Sequence, residues 1–107
     1  MIQERDFEGV LVECSLERWQ EKLIGSHPEL EGRMDEVRRA IAHPRLVLAD
    51  TSYTNRKHHV IEVAPRLFLD VVVEYRYLPV GIRGRVVTAF LRRRLSGGNR
   101  LFSNGGL

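Results

Sequence analysis

Apolar residues recur along this chain with two different periods, and the change from one to the other divides it into a helical half and a sheet half. Val10, Leu11 and Val12 form a short apolar run ending at Cys14, the pattern of a first strand. Ser15 follows as a helix N-cap, and Leu16, Trp19, Leu23 and Ile24 recur at helical spacing. Residues 15–25 are therefore expected as an amphipathic helix, stopped by Gly25 and by His27-Pro28. Met34, Val37, Ala40 and Ile41 predict a second helix over residues 32–43, ended by Pro44.

The period then shortens. Leu46–Ala49 is a compact apolar strand, residues 51–56 are a polar turn, and residues 58–63 begin an alternation that reverses at Pro65-Arg66. Leu67, Leu69, Val71, Val73, Tyr75 and Tyr77 alternate without interruption, the firmest strand signal in the chain. A turn over 79–84 and a last strand over 86–91 complete the pattern. Short connections between strands favour antiparallel pairing. The expected class is α+β: two N-terminal helices packed on one face of an antiparallel sheet of roughly four to five strands. Residues 1–95 are expected as one domain, and residues 96–107 as a flexible Gly- and Asn-rich tail with Leu101-Phe102 as a possible anchor.

At 107 residues the chain has room for one core. Its first eight residues are polar and charged with no apolar stretch behind them, so no signal peptide is expected. The apolar runs are too short to cross a bilayer, and no membrane partner is expected. A single cysteine, Cys14, fits a reducing, cytoplasmic setting and reads as a small packed side chain. Four histidines and one cysteine lack ligand spacing, so neither metal nor cofactor is expected. The charge is unevenly spread. Residues 76–107 hold seven arginines and no acid, whereas the whole chain is only +3, so residues 1–75 sum to −4. Such a split is a common footprint of a phosphate-binding surface. Fifteen of the seventeen basic residues are arginine, whose planar fork grips phosphate with two hydrogen bonds.

Strand parity sorts the side chains by face. Odd positions of the long strand are apolar and face the helices. Phe68, Asp70, Val72, Glu74 and Arg76 then lie on the other face, joined by His58, Val60 and Glu62 from the preceding strand and by Val86, Thr88, Phe90 and Arg92 from the last. His59 takes core parity. One bare surface thus carries an imidazole, carboxylates, a hydroxyl and arginines. Attack by a ribose 2′-hydroxyl needs a base, an acid for the leaving oxygen and cations for the phosphate, which are those groups. The plainer alternative is a solvated face of cross-strand pairs.

The run Glu17-Arg18-Trp19, Leu23-Ile24-Gly25-Ser26-His27-Pro28-Glu29-Leu30, Met34-Asp35-Glu36-Val37, Ala40-Ile41 and Pro44 resembles the phage-type nuclease-like families of the Barnase–EndoU–colicin–RelE fold. Residues 69–74 are similar to the family's central strand, and Val86-Val87-Thr88-Ala89-Phe90 to its closing strand. The resemblance implies a metal-independent ribonuclease-like domain of toxin type, with an antitoxin as a possible partner. It singles out His27, Thr88, and an imidazole or basic residue at Lys57, His58 or His59. Relatives often carry a histidine in the first helix where this chain has Lys22, and lysine is a poor acid–base group near neutrality. The combined expectation is RNA cleavage with His27 or His58 as proton-transfer group, Glu62 or Glu74 as base and Thr88 positioning the phosphate. Arg76, Arg85, Arg92, Arg93 and Arg94 would hold the nucleic acid. The competing expectations are a module of the same fold that binds RNA or an acidic partner protein without catalysis, and an oligomeric structural domain.

Overall fold

The computed structural model of the chain describes residues 2–95 and 98–104. Seven strands form one mixed sheet: β1 (Ile2–Arg5), β2 (Leu11–Cys14), β3 (Leu46–Ala49), β4 (Arg56–Ala64), β5 (Leu67–Leu78), β6 (Gly81–Arg92) and β7 (Arg100–Ser103), in the order β1-β2-β6-β5-β4-β3-β7. The expectation of two N-terminal helices packed on one face of a four- to five-stranded antiparallel sheet is therefore corrected. A hairpin, β1–β2, comes before the helices, β2 pairs with β6 in parallel, and β7 adds an edge at the far side. The missed strands are short edge elements. Among the four residues of β1 only Ile2 is apolar, and it alone is buried, which leaves no alternation to detect.

The helical layer is small. Ser15 caps α1 (Leu16–Arg18) by accepting the Arg18 N–H at 3.1 Å, as its hydroxyl suits it to do. The helix then widens into a π-helical stretch, Trp19–Ile24, which buries Trp19 and Leu23 and leaves Gln20, Glu21 and Lys22 exposed. Pro28 excludes the helical conformation at His27, which lies at φ −135°, ψ 80°, and a 3₁₀ turn, Pro28–Leu30, buries Leu30. The helix α2 (Met34–Ala42) buries Val37, Ala40 and Ile41 and presents its other face to solvent. These side chains meet Leu69, Val71, Val73 and Tyr75 of β5, so the parity reading of the long strand holds.

In β6 the parity changes partway. The ladder shifts between Val72 and Val73, so Val72 pairs with Thr88 while Val73 pairs with Val86. Val86 is consequently buried in the core with Ala89, not turned outward as expected. Arg18 secures this bulge, donating from Nε to the Val86 carbonyl at 2.9 Å and from Nη2 to the Val87 carbonyl at 3.1 Å. Since β2 pairs with β6 only from Arg83 to Arg85, the rest of that edge is free for the helical layer to lie beside it.

The sheet is strongly curled. In a flat seven-stranded sheet the edges would stand roughly 29 Å apart at ~4.8 Å per strand. Here Phe7, just past β1, packs on Phe102 of β7 with ring centroids 4.7 Å apart. A buried polar chain crosses the same concave side. His59 Nε2 donates to the Tyr75 hydroxyl at 2.9 Å, Tyr75 donates to Asp6 at 2.7 Å, and the other Asp6 oxygen accepts the Glu8 and Val10 N–H groups at 2.9 and 2.8 Å. His59, expected to have core parity, is fully buried.

On the opposite, outer face the surface is not wholly bare. Leu95 packs against Leu46, Leu48, Val60 and Phe68, and Arg100–Ser103, within the segment expected as a loose tail, is hydrogen-bonded to β3 and contains the anchor pair Leu101-Phe102. Among the described residues no helix is long and apolar enough to cross a membrane.

The curl requires a glycine where β6 passes the core. A Cβ on Gly84 would stand 2.8 Å from Val12 Cγ2, 3.0 Å from Val73 Cγ1 and 3.2 Å from Tyr75 Cε1. Gly84→Ala is expected to destabilise the protein by about 1–3 kcal/mol through overpacking. Urea unfolding checks this, and an unchanged midpoint would count against the close passage of β6 over β2 and Tyr75.

Candidate functional site

Three rungs of the outer face carry the polar side chains. His58, Val72 and Thr88 share one rung, Val60, Asp70 and Phe90 the next, and Glu62, Phe68 and Arg92 the third. In this way β4, β5 and β6 bring His58, Thr88 and Arg92 onto a common surface. Glu62 is exposed at the far end of β4, about 13 Å along the strand from His58 at ~3.3 Å per residue. It does not join the cluster.

The centre of the cluster is Asp70, which is fully buried. His58 Nδ1 lies 2.9 and 3.0 Å from its two oxygens, and Arg92 Nη1 donates to Oδ2 at 2.9 Å. The second nitrogen of His58, Nε2, lies 2.7 Å from Asp50 Oδ1. An ionised carboxylate only accepts, so a carboxylate on each side of the ring is the arrangement that favours an imidazolium donating from both nitrogens. Its pKa is raised, first by the hydrogen bond to Asp70 and against the opposing effect of burial. Asp50 is pushed down to about 2, chiefly by the His58 hydrogen bond and then by the Tyr53 N–H, and it also accepts the Ser52 N–H. Two carboxylates and two cations alternate in a neutral chain. Sequence reasoning found His58 and Arg92 but not Asp50, whose only signal was its place immediately before a polar turn, where an Asp side chain caps following N–H groups. Asp70 was placed on the correct face without a role.

A second carboxylate, Glu74, lies two residues along β5 and is surrounded more loosely. Arg56 Nη2, Arg76 Nε and Arg85 Nη2 stand 3.4, 3.5 and 3.4 Å from it. Charge-assisted bonds at full strength are about 2.7–2.9 Å. The distances separate a locked cluster at Asp70 from a loose one at Glu74, where Arg76 and Arg85 are exposed. Glu74 itself is occupied by cations. Beside it, where β2 meets β6, is a cleft of about 580 Å³ lined by Cys14, Arg18, Lys22, Glu74, Arg76 and Arg85 among others. Cys14 is buried there and its thiol pKa is raised by burial, the opposite of an activated nucleophile.

His27 reaches the same outer region from the helical layer. The extended backbone before Pro28, anchored by buried Leu30, holds its ring 5.9 Å from the Phe90 ring, and Nδ1 lies 3.6 Å from Glu29. The Arg92 guanidinium carbon is 5.8 Å from the centroid of the same Phe90 ring. The row His27, Phe90, Arg92 therefore sets a partly exposed imidazole, an aromatic platform and a fixed cation side by side, with Thr88 next along β6. Arg92 is further tied by Nε to the Arg94 carbonyl at 2.5 Å, while the Arg93 and Arg94 side chains are exposed beyond the strand.

Comparison with family models, with curated proteins and with solved structures finds no match to this chain.

The two adjacent histidines titrate in opposite senses. Burial holds His59 down to about 4 from an ordinary value of 6.5. The unfolded chain therefore takes up a proton that the folded one refuses, and stability falls by up to about 1.4 kcal/mol per unit as pH drops between those values. His58, with its pKa raised, stabilises the fold below the ordinary value, and that contribution is lost as pH rises through the folded value. Chemical denaturation across pH is expected to show a shallower acid limb for His59→Gln. His58→Gln should lose more stability at pH about 6 than at pH about 9. Equal losses at both would exclude the imidazolium form.

Proposed function

We propose that this chain is a metal-independent RNA-cleaving domain whose proton-transfer group is His27, with Phe90 as a stacking platform and Arg92 as the cation at the scissile phosphate. The observation carrying this reading is the contiguous row of His27, Phe90 and Arg92 at ring and guanidinium separations of 5.9 and 5.8 Å. Single-stranded RNA is held by unstacked bases on aromatic rings, with arginines on the backbone. A positioned proton-transfer group contributes about 10²–10⁴-fold. His58 is a positioning residue in this scheme: it fixes Asp70, which accepts from Arg92 Nη1 at 2.9 Å, and its own nitrogens are both engaged. Thr88, on the neighbouring rung, is assigned to the phosphate, and the loosely paired Arg76 and Arg85 to the flanking strand. The resemblance to toxin-type nucleases accords with this reading and with a cytoplasmic site of action.

A second reading rests on the same engaged imidazole. With His58 committed to two carboxylates and Glu74 to three arginines, neither is available as a partner base for His27. A module that binds RNA, or an acidic partner such as an antitoxin, without cutting RNA follows from that observation.

End-labelled RNA incubated in EDTA separates the two. Cleavage should leave 2′,3′-cyclic phosphate ends, and His27→Ala should slow it by about 10²–10⁴-fold while leaving RNA affinity within a few-fold. Phe90→Ala should weaken binding by about 1–3 kcal/mol. Intact RNA that is nevertheless bound, with affinity falling steeply in salt, would establish the module instead. Absence of any RNA interaction at low salt would end both readings.

A further inference from the structure

The β5–β6 hairpin outruns the rest of the sheet. Its neighbour β4 last pairs at Arg56↔Glu74, followed only by the Tyr75 N–H to Asn55 carbonyl bond at 2.8 Å, and β2 first pairs at Leu11↔Arg83. Residues 77–82 therefore form a two-stranded tip with no strand of the described residues on either side, held by Tyr77↔Ile82 and Leu78↔Gly81. The tip reads Tyr-Leu-Pro-Val-Gly-Ile, with no charge and a single side-chain polar group, the Tyr77 hydroxyl. Val80 is 88% exposed, Tyr77 78%, Leu78 44% and Ile82 42%. These are four of the seven large exposed apolar side chains of the described residues, gathered in one six-residue turn. Tyr77 and Ile82 lie toward the helical side of the sheet, Leu78 toward the outer side and Val80 at the turn, so the tip is apolar all round.

At the base of this tip Arg76 and Arg83 are direct cross-strand partners, 64% and 53% exposed. Like charges directly opposite each other are destabilising unless an anion joins them. The nearby carboxylates hold them only loosely: Arg76 Nε is 3.5 Å from Glu74 and Arg83 Nη1 is 3.2 Å from Glu13. Arg5 lines an adjoining hollow with Val80, Ile82 and Arg83, together with Glu8.

We propose that this hairpin tip is a membrane-docking element that inserts into the headgroup region of an anionic lipid surface, with Arg76, Arg83 and Arg5 on the lipid phosphates. A partner protein would cover one face of a ribbon, and a nucleic-acid strand would find no hydrogen-bonding side chain on the tip beyond one hydroxyl. A lipid interface surrounds an element that is apolar all round. Dimensions agree. Three residues per arm at ~3.3 Å give a reach of about 10 Å, against the ~5–10 Å to which interfacial elements sink. The outward N–H and C=O groups of a lone hairpin need water or headgroup partners, which confines it to that depth. Docking of this kind differs from spanning and departs from the expectation that no membrane is involved. It does not depend on the RNA-cleaving reading.

The test uses the full chain with vesicles of phosphatidylcholine containing phosphatidylserine, and with vesicles of phosphatidylcholine alone. Co-sedimentation is expected with the first and not the second, falling with salt. Arg83→Gln should weaken it about fivefold and Val80→Asp at least about tenfold, both with unchanged thermal midpoints. Emission of a Tyr77→Trp variant should be quenched by brominated acyl chains, whereas the wild-type chain, whose Trp19 is buried, should not respond. Equal binding to both vesicle types, full binding by Val80→Asp, or an unquenched Tyr77→Trp variant would each overturn the proposal. A Tyr77→Trp signal that responds to RNA and not to vesicles would reassign the tip to nucleic acid.

Discussion

A carboxylate with no exposed surface sits in the middle strand of this sheet, and its neutralisation organises the outer half of the molecule. An isolated ion moved from water to such a site costs several kcal/mol even after relaxation. Asp70 is tolerable because β4 delivers His58 and β6 delivers Arg92 within 3 Å of it. Each of those partners is then fixed by something further: His58 by Asp50 in the β3–β4 turn, Arg92 by the Arg94 carbonyl beyond β6. One buried charge thereby ties three strands, a turn and the exit of the last long strand. Asp50, His58 and Asp70 are in this way scaffolding whose effect is to fix the position of Arg92.

The two carboxylates of β5 illustrate that distinction by distance. Around Asp70 the contacts are at 2.9–3.0 Å and desolvated, and around Glu74 they are at 3.4–3.5 Å with two of the three arginines exposed. Exposed ion pairs at such separations contribute little to stability, so their arginines exchange carboxylate for phosphate at small cost. The closer set confers a fixed geometry on Arg92. The looser set leaves exposed positive charge on the same sheet.

How far the sequence reveals this arrangement varies with element. The alternation of β5 and the helical spacing of Met34, Val37, Ala40 and Ile41 are strong periodic signals because one face of each is buried against a continuous core. The outward row of β5 follows directly, and so does the meeting of His58, Thr88 and Arg92 on one surface. The strand pairing of β1 and β7 leaves almost no trace, since β1 buries only Ile2 and β7 no more than half-buries Phe102. The bulge at Val86 is equally silent: Val86 and Val87 are alike in polarity, and the bonds that secure the bulge come from the distant Arg18. Engagement of both His58 nitrogens was illegible for a further reason. It depends on a turn residue, Asp50, brought back by the reversal between β3 and β4.

The meeting of Phe7 with Phe102 bears on how copies of this chain coexist at high concentration. Open sheets expose two unsatisfied margins, and straight margins template addition of further strands from other molecules. Rolling the sheet until opposite ends nearly touch bends both margins, and each is only four residues long. Neither offers a straight template of the length that fibril-like stacking requires. A chain rich in strands and carrying little net charge thus gains resistance to self-templated growth from its curvature.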